Sequence, residues 1–191
     1  MRMYQITVLL GFGLIGLGGC TSTVGHDVPG IVNFDELRDA PQTIYRGAQP
    51  SEEGIQWLAG EKKVATVIDL RDDAKGWEGS AVVEHRMSYK RIPTNASVID
   101  PARINEFLST VTSAKGPVFV HCKEGKDRTG LEIAMYRVVC QDWDRERAIR
   151  ELREHGYNHF WFPQIERFVR HFDARDFPKP HSVTASTASG H

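Results

Sequence analysis

The sequence predicts an α/β fold, a small and mostly parallel central sheet with helices on both faces. Three observations predict it. β-Branched apolar runs at 64–70 and 117–121 end abruptly in charged or turn residues. Segments with apolar residues spaced three and four apart follow them, which is the period of helices that pack on a sheet. Between the second run and its helix lies His121-Cys122-Lys123-Glu124-Gly125-Lys126-Asp127-Arg128-Thr129-Gly130. Ligands of open α/β sheets bind at that position, outside the carboxyl end of a strand.

The chain has 191 residues, 40% apolar and 26% charged, which is room for one core domain and its ends. Lys and Arg total 24 against 25 Asp and Glu, so no chain-wide basic surface exists for nucleic acid or membranes. Any anion preference must be local.

No charged residue occurs between Arg2 and Asp27, and 6–17 is apolar apart from Thr7 and interspersed glycines. This reads as a signal peptide over 1–19, although the stretch is long enough for a retained single-span anchor or uncleaved leader to be the alternative. Residues 20–33 read as the mature N-terminus and a polar tether, 34–176 as the catalytic domain, and 177–191, rich in Pro, Ser, Thr and Ala, as a disordered tail.

Within the domain, Ser51 is the expected N-cap of a helix reaching Gly60, with Glu52 and Glu53 in its first turn and Ile55, Trp57 and Leu58 on its apolar face. The run 64–70 is a buried strand. Residues 74–80 read as a polar loop around Gly76 and Gly79, and 87–92 as a short strand. Asp100 and Pro101 open a helix with Ile104, Phe107, Leu108 and Val111 on one face, and 117–121 is the strand that leads into the Cys122 loop. Leu131, Ile133, Ala134, Met135, Val138 and Val139 form the broad stripe of a central helix. Asp144 caps the next helix, Gly156 ends it, and a final helix spans 163–172.

Displacing a phosphate ester requires an in-line nucleophile, positive groups around the equatorial oxygens and a proton for the departing oxygen. Cys122 supplies the nucleophile, because a helix start lowers a thiol pKa and offers unpaired N–H groups to an anion. Arg128 supplies a planar fork that grips two phosphate oxygens. Gly125 permits the backbone turn that points N–H groups inward, Thr129 donates its hydroxyl to the sulfur, and Gly130 allows close packing of the helix. His121 faces away from the nucleophile, either orienting the loop through the backbone or serving as a satisfied core residue. Lys123, Glu124 and Lys126 complete the substrate-binding loop, with the two lysines either meeting further phosphates or remaining solvated. Arg46 and Arg71 are either rim cations or salt-bridge partners.

The run HCKEGKDRTG resembles the HCxxGxxR[S/T]G signature of the cysteine-dependent protein tyrosine and dual-specificity phosphatase superfamily. YRGAQPSEEGIQWL, VATVIDLRDD and GLEIAMYRVV resemble its bacterial and plant-fungal atypical members, so the resemblance covers about 44–157. It implies a phosphatase-type phosphate-binding loop and a two-step phosphocysteine mechanism without metal or cofactor. Cys122 is then the nucleophile and Arg128 the phosphate-binding arginine. The implied substrates are phosphotyrosine, phosphoserine or phosphothreonine proteins, or phosphoinositides and inositol phosphates.

Two carboxylates qualify as the general acid. Asp127 is the first choice, because in lineages with Asp before the signature Arg that residue is assigned the proton; its alternative role is an ion pair with Lys126 or Arg128. Asp100 is the second choice, as the only carboxylate between Pro93 and Pro101, and its alternative role is the N-cap of the following helix. Asp69, inside a strand, reads as structural.

Leu17-Gly18-Gly19-Cys20 resembles the lipobox of bacterial lipoproteins. The resemblance implies a lipid on Cys20, export, and membrane attachment on the periplasmic side, with Thr21 pointing to the outer membrane. A disulfide between Cys122 and Cys140 would block the loop thiol, so Cys140 reads as a small buried hydrophobe. Two other functions use related loops: a phosphate-binding module without turnover, and a sulfur transferase of the rhodanese type.

Overall fold

The structure is a computed structural model that describes residues 25–37, 39–74 and 76–179. Strands β1 (His26–Val28), β2 (Ile31–Glu36), β3 (Ile44–Gly47), β4 (Thr66–Asp69), β5 (Ser88–Arg91) and β6 (Val118–His121) form one six-stranded sheet in the order β1-β2-β3-β6-β4-β5. β3, β6, β4 and β5 are mutually parallel, and β1 and β2 add an antiparallel edge. The register places Gly47 and Asp69 on either side of His121, so three strand ends converge where the Cys122 loop begins.

Alternation along the strands divides the core in two. Val67, Phe119 and Tyr45 pack with Ile55 and Leu58 of α1 (Glu52–Gly60) and Val82 of α2 (Trp77–Glu84). Ile44, Ile68, Val118 and Val120 face the other way, onto α3 (Pro101–Ser113), α4 (Asp127–Gln141), α5 (Arg145–Glu154) and α6 (Pro163–His171). α4 is buried nearly all round, as its broad apolar stripe predicts.

The expected caps are in place. Ser51 accepts from the Gly54 N–H, Asp100 from Ala102 and Asp144 from Arg147, while Gly156 ends α5 at φ +80. Three expectations are corrected. The tether expected over 20–33 gives way from His26 onward to the β1–β2 hairpin, whose Ile31 is buried. The polar loop expected over 74–80 contains the start of α2; its Gly79 is a packing glycine, since a Cβ there would lie 2.9 Å from the Tyr89 ring. The tail expected from 177 does not begin there, because Phe177 is buried against Phe172 and Phe168 and Lys179 pairs with Asp142. The signal peptide, Cys20 and the end of the tail lie outside the described residues. No helix among the described residues is long and apolar enough to cross a membrane.

Candidate active site

β6 ends at His121, and the chain turns through Cys122–Lys126 into α4 without a side-chain N-cap. The first N–H groups of α4 are thereby left for an anion. Gly125 makes the turn possible. Its φ is +71, and a Cβ would lie 2.4 Å from the Gly47 carbonyl carbon.

The carbonyls of the loop are tied at its back. Arg46 Nη2 donates to Gly125 O at 2.9 Å, and Asn33 Nδ2 reaches Glu124 O at 3.4 Å and Gly125 O at 3.3 Å. Asn33 has φ 55, a left-handed conformation that Asn tolerates better than most residues. In a trans peptide the C=O and the following N–H point opposite ways, so tying these carbonyls back turns the N–H groups of Gly125 and Lys126 toward the cradle. At the helix start, a Cβ on Gly130 would collide with Leu152, which makes Gly130 the close approach of α4 to α5.

Cys122 is 3% exposed and lines a cleft of about 310 Å³ together with Asp72, Asn95, Lys123, Asp127, Arg128 and Phe162, among others. Burial alone would raise the thiol pKa. The Thr129 hydroxyl and N–H, the Arg128 charge and the Glu124 N–H outweigh it, and the net shift is downward. The Thr129 hydroxyl is buried and satisfies no other group, so it is available to turn to the sulfur. Cys140 shows the contrast: partly buried against the core, its thiol is pushed up to about 11.

His121 stands behind the nucleophile. Its Nδ1 lies 3.2 Å from Cys122 O and its Nε2 2.8 Å from Glu78 Oε1, all of it buried. Burial opposes an imidazolium here, but Glu78 and Asp69 outweigh it and the pKa is raised. With a proton on Nδ1 the ring donates to the Cys122 carbonyl and so fixes the nucleophile's backbone. Asp69, Glu78 and His121 have ligand-type atoms within 4.8 Å of one another. Their oxygens are already occupied: Asp69 accepts from Tyr89 and from the Arg71 N–H, and Glu78 from Gln49. The cluster is tied into a hydrogen-bonded support behind the nucleophile.

Of the carboxylates considered as general acid, Asp127 lines the cleft and accepts from the Asn158 N–H at 2.8 Å. Asp100 accepts from the Ala102 N–H as the N-cap of α3 and is not among the residues that line the cleft. Two further carboxylates line the cleft, and each has a cation beside it. Asp72 lies 2.7 Å from Arg128 Nη1, and Glu124 lies 3.3 Å from Lys126 Nζ. Lys123 lines the cleft, whereas Lys126 packs beside Gly156 and is not part of the lining.

Sequence reasoning missed Asp72, Glu78 and Asn33, and of the two roles open to Arg46, rim cation or salt-bridge partner, the rim is ruled out because the side chain is 0% exposed. The β3 alternation is the one signal that bears on Arg46. It puts that side chain on the same face as Ile44, toward α4 and α5. Arg71 is buried too and pairs with Asp73 at 3.2 Å. Behind the cleft, Glu132 of α4 is fully buried, with the Thr94 hydroxyl at 3.4 Å as its partner.

Fold and loop together define a cysteine-based phosphatase domain: a parallel sheet whose central strand delivers a lowered-pKa thiol to a helix start, with an arginine across the cleft. The chain belongs to the family described as "DSP-PTPase phosphatase fused to NAD+ Kinase", which it matches over residues 32–169. It is 36% identical over 117 residues to the dual specificity protein phosphatase TpbA of Pseudomonas aeruginosa. That alignment covers 60% of this chain and 52% of TpbA, so the chain spans about half the length of this curated relative. The crystal structure of a TpbA cysteine-to-serine variant in complex with phosphotyrosine superposes with a TM-score of 0.65 at 26% identity, covering 82% of this chain and 94% of that one. The catalytic core of the inositol pyrophosphate phosphatase SIW14 from Saccharomyces cerevisiae, at 21% identity and a TM-score of 0.62 over 68% of this chain and 80% of that one, shows the same fold.

Proposed function

We propose that the protein hydrolyses phosphomonoesters through a phosphocysteine, without a metal. The observation that carries this reading is the Cys122 thiol, held at lowered pKa in the same cleft as the Arg128 guanidinium. The thiolate attacks phosphorus in line while the P–O ester bond breaks and its electron pair leaves with the ester oxygen. Arg128 and the inward N–H groups hold the equatorial oxygens, whose charge grows along the reaction. Asp127 donates the proton to the leaving oxygen. Among the described residues it is the one cleft carboxylate outside an ion pair, so no cation competes with the leaving oxygen for its carboxyl group. Water then attacks phosphorus, Asp127 takes its proton, the S–P bond breaks, and inorganic phosphate leaves with the thiolate restored.

Phosphotyrosine is the first substrate to test, since the TpbA variant binds it. Phosphoserine and phosphothreonine proteins, phosphoinositides and inositol phosphates form the rest of the panel. The cleft supports polyanions less than the loop lysines suggested, because Lys126 sits beside Glu124. The test is phosphate release from aryl phosphate and from each panel member by the wild type and Cys122→Ser. Turnover should vanish in the variant; undiminished release would refute the mechanism. Phosphate-ester binding without release by the wild type would instead identify a binding module, and thiosulfate activity a sulfur transferase.

We further propose export and lipidation at Cys20, which would place the cleft on the periplasmic side of a membrane, the outer membrane by the Thr21 pattern. The support is the leader and the Leu17-Gly18-Gly19-Cys20 motif. Mass analysis of the mature N-terminus tests it, and an unmodified Met1 would refute it.

A further inference from the structure

The largest fully buried side chain among the described residues is a charged one, Arg46 of β3. Its guanidinium makes one hydrogen bond there, from Nη2 to Gly125 O, and Nε and Nη1 have no partner. A buried guanidinium so poorly paired destabilises a fold; an apolar side chain of similar volume would serve the packing as well or better. Stability therefore gives no reason for an arginine at this place. The site does.

We propose that Arg46 is a positioning residue for the hydrolysis, fixing the Gly125 carbonyl from beneath the loop and supplying a second positive charge that holds Cys122 as thiolate. Arg128 meets the phosphate from the cleft; Arg46 acts from the opposite side and is closed off from substrate. Burial pulls the Arg46 pKa down to about 10, which leaves it charged at neutral pH. The charged groups that face it are Glu151 from α5, Cys122 itself, Asp35 from β2, and Arg137 from α4, which opposes its charge. Both carboxylates among them are engaged elsewhere. Glu151 is hydrogen-bonded by Arg137, and Asp35 lies 2.9 Å from His155 Nε2. Around Cys122 stand Arg128, His121 behind, and the cleft carboxylates Asp72, Glu124 and Asp127. Arg46 thus offsets part of the negative field that those carboxylates bring to the thiolate.

The inference rests on the proposed role of Cys122, but its main readout needs no turnover. In full-length protein, the rate of Cys122 alkylation by iodoacetamide is followed against pH for wild type, Arg46→Met and Arg46→Lys, in a Cys140→Ser background with melting curves as the check on folding. Arg46→Met should raise the alkylation midpoint by about one pH unit and weaken inhibition by inorganic phosphate about tenfold, as one lost close charge and one loosened loop carbonyl require. Arg46→Lys keeps the charge without the fork. Its midpoint should stay near the wild-type value while phosphate affinity falls. A folded Met variant with unchanged midpoint and unchanged phosphate inhibition overturns the proposal. If the Met variant does not fold, the Lys variant decides: unchanged phosphate affinity, or a midpoint raised as if the charge were absent, overturns it. A wild type that alkylates at low pH yet releases no phosphate would sink the hydrolase reading while leaving the positioning role intact.

Discussion

Arg128 Nη1 and Asp72 Oδ1 are 2.7 Å apart, so the guanidinium that faces the cleft is held from the end of β4. The loop supplies the arginine, and a different strand sets its direction. Asp72 is about half exposed, at 51%, so the pair adds little to stability. Its effect is geometric: with one end of the fork engaged, the rest of the fork stays turned toward the phosphate position. Replacing Asp72 with Asn should raise KM for an aryl phosphate about three- to tenfold with little change in melting temperature. Steady-state kinetics check this, and a pure fall in kcat at constant KM would instead make Asp72 a proton donor.

The leaving group separates the two carboxylates considered from sequence. Asp127→Asn should slow turnover of alkyl phosphates far more than of nitrophenyl phosphate, whose leaving oxygen needs no proton. Asp100→Ala should leave both rates unchanged and cost about 1 kcal/mol of stability through loss of the α3 cap. Rates across a series of leaving-group pKa values, with denaturant melts alongside, measure both.

Glu132 makes stability depend on pH. Burial pushes its carboxyl from the ordinary 4.5 up to about 8, against the weaker pull of the Thr94 hydroxyl. Between these values the folded protein binds a proton that the unfolded chain releases, so stability falls as pH rises from about 4.5 to about 8. Glu132→Gln keeps the shape and cannot ionise. It should be near neutral at pH 4.5 and stabilising by about 2 to 4 kcal/mol at pH 8. Thermal melts at the two pH values decide it, and an equal gain at both would show that ionisation is not the cause.

Gly125→Ala places a methyl group against the Gly47 backbone at a φ of +71. The loop has to move, so turnover should fall by about a hundredfold or more while the rest of the domain remains folded. Comparing kcat with the far-ultraviolet circular dichroism of the variant tests this. Near-normal turnover would mean that the Gly125 turn does not shape the cradle.

What the residues announced and what they concealed divides along contact distance. The strand, loop and helix from 117 to 141 were legible because nucleophile, turn and helix start are consecutive. So were Ser51, Asp144 and Gly156, whose capping partners lie within a few residues. Asp72 meets Arg128 across 56 positions, Asn33 meets Glu124 across 91, and neither has a local signature. Gly79 misled in a different way. Glycine marks a loop when backbone freedom is its purpose, but here it makes room for Tyr89 within a helix. Arg46 read as a rim cation or a salt-bridge partner because an arginine is ordinarily solvated or paired at the surface, and only the tertiary fold closes over it.

The Asn33 clasp also bears on how the chain can be shortened. Cutting at Phe34, where the sequence reading ends the polar N-terminal stretch, would leave α4, its loop and most of the sheet in place. The missing amide would free the Glu124 carbonyl and leave Gly125 on Arg46 alone. Such a fragment would keep its secondary structure and its thiol yet have a slackened cradle, and its low activity would be mistaken for a property of the enzyme. Expression boundaries belong before His26, so that the β1–β2 hairpin and its Asn33 are kept whole.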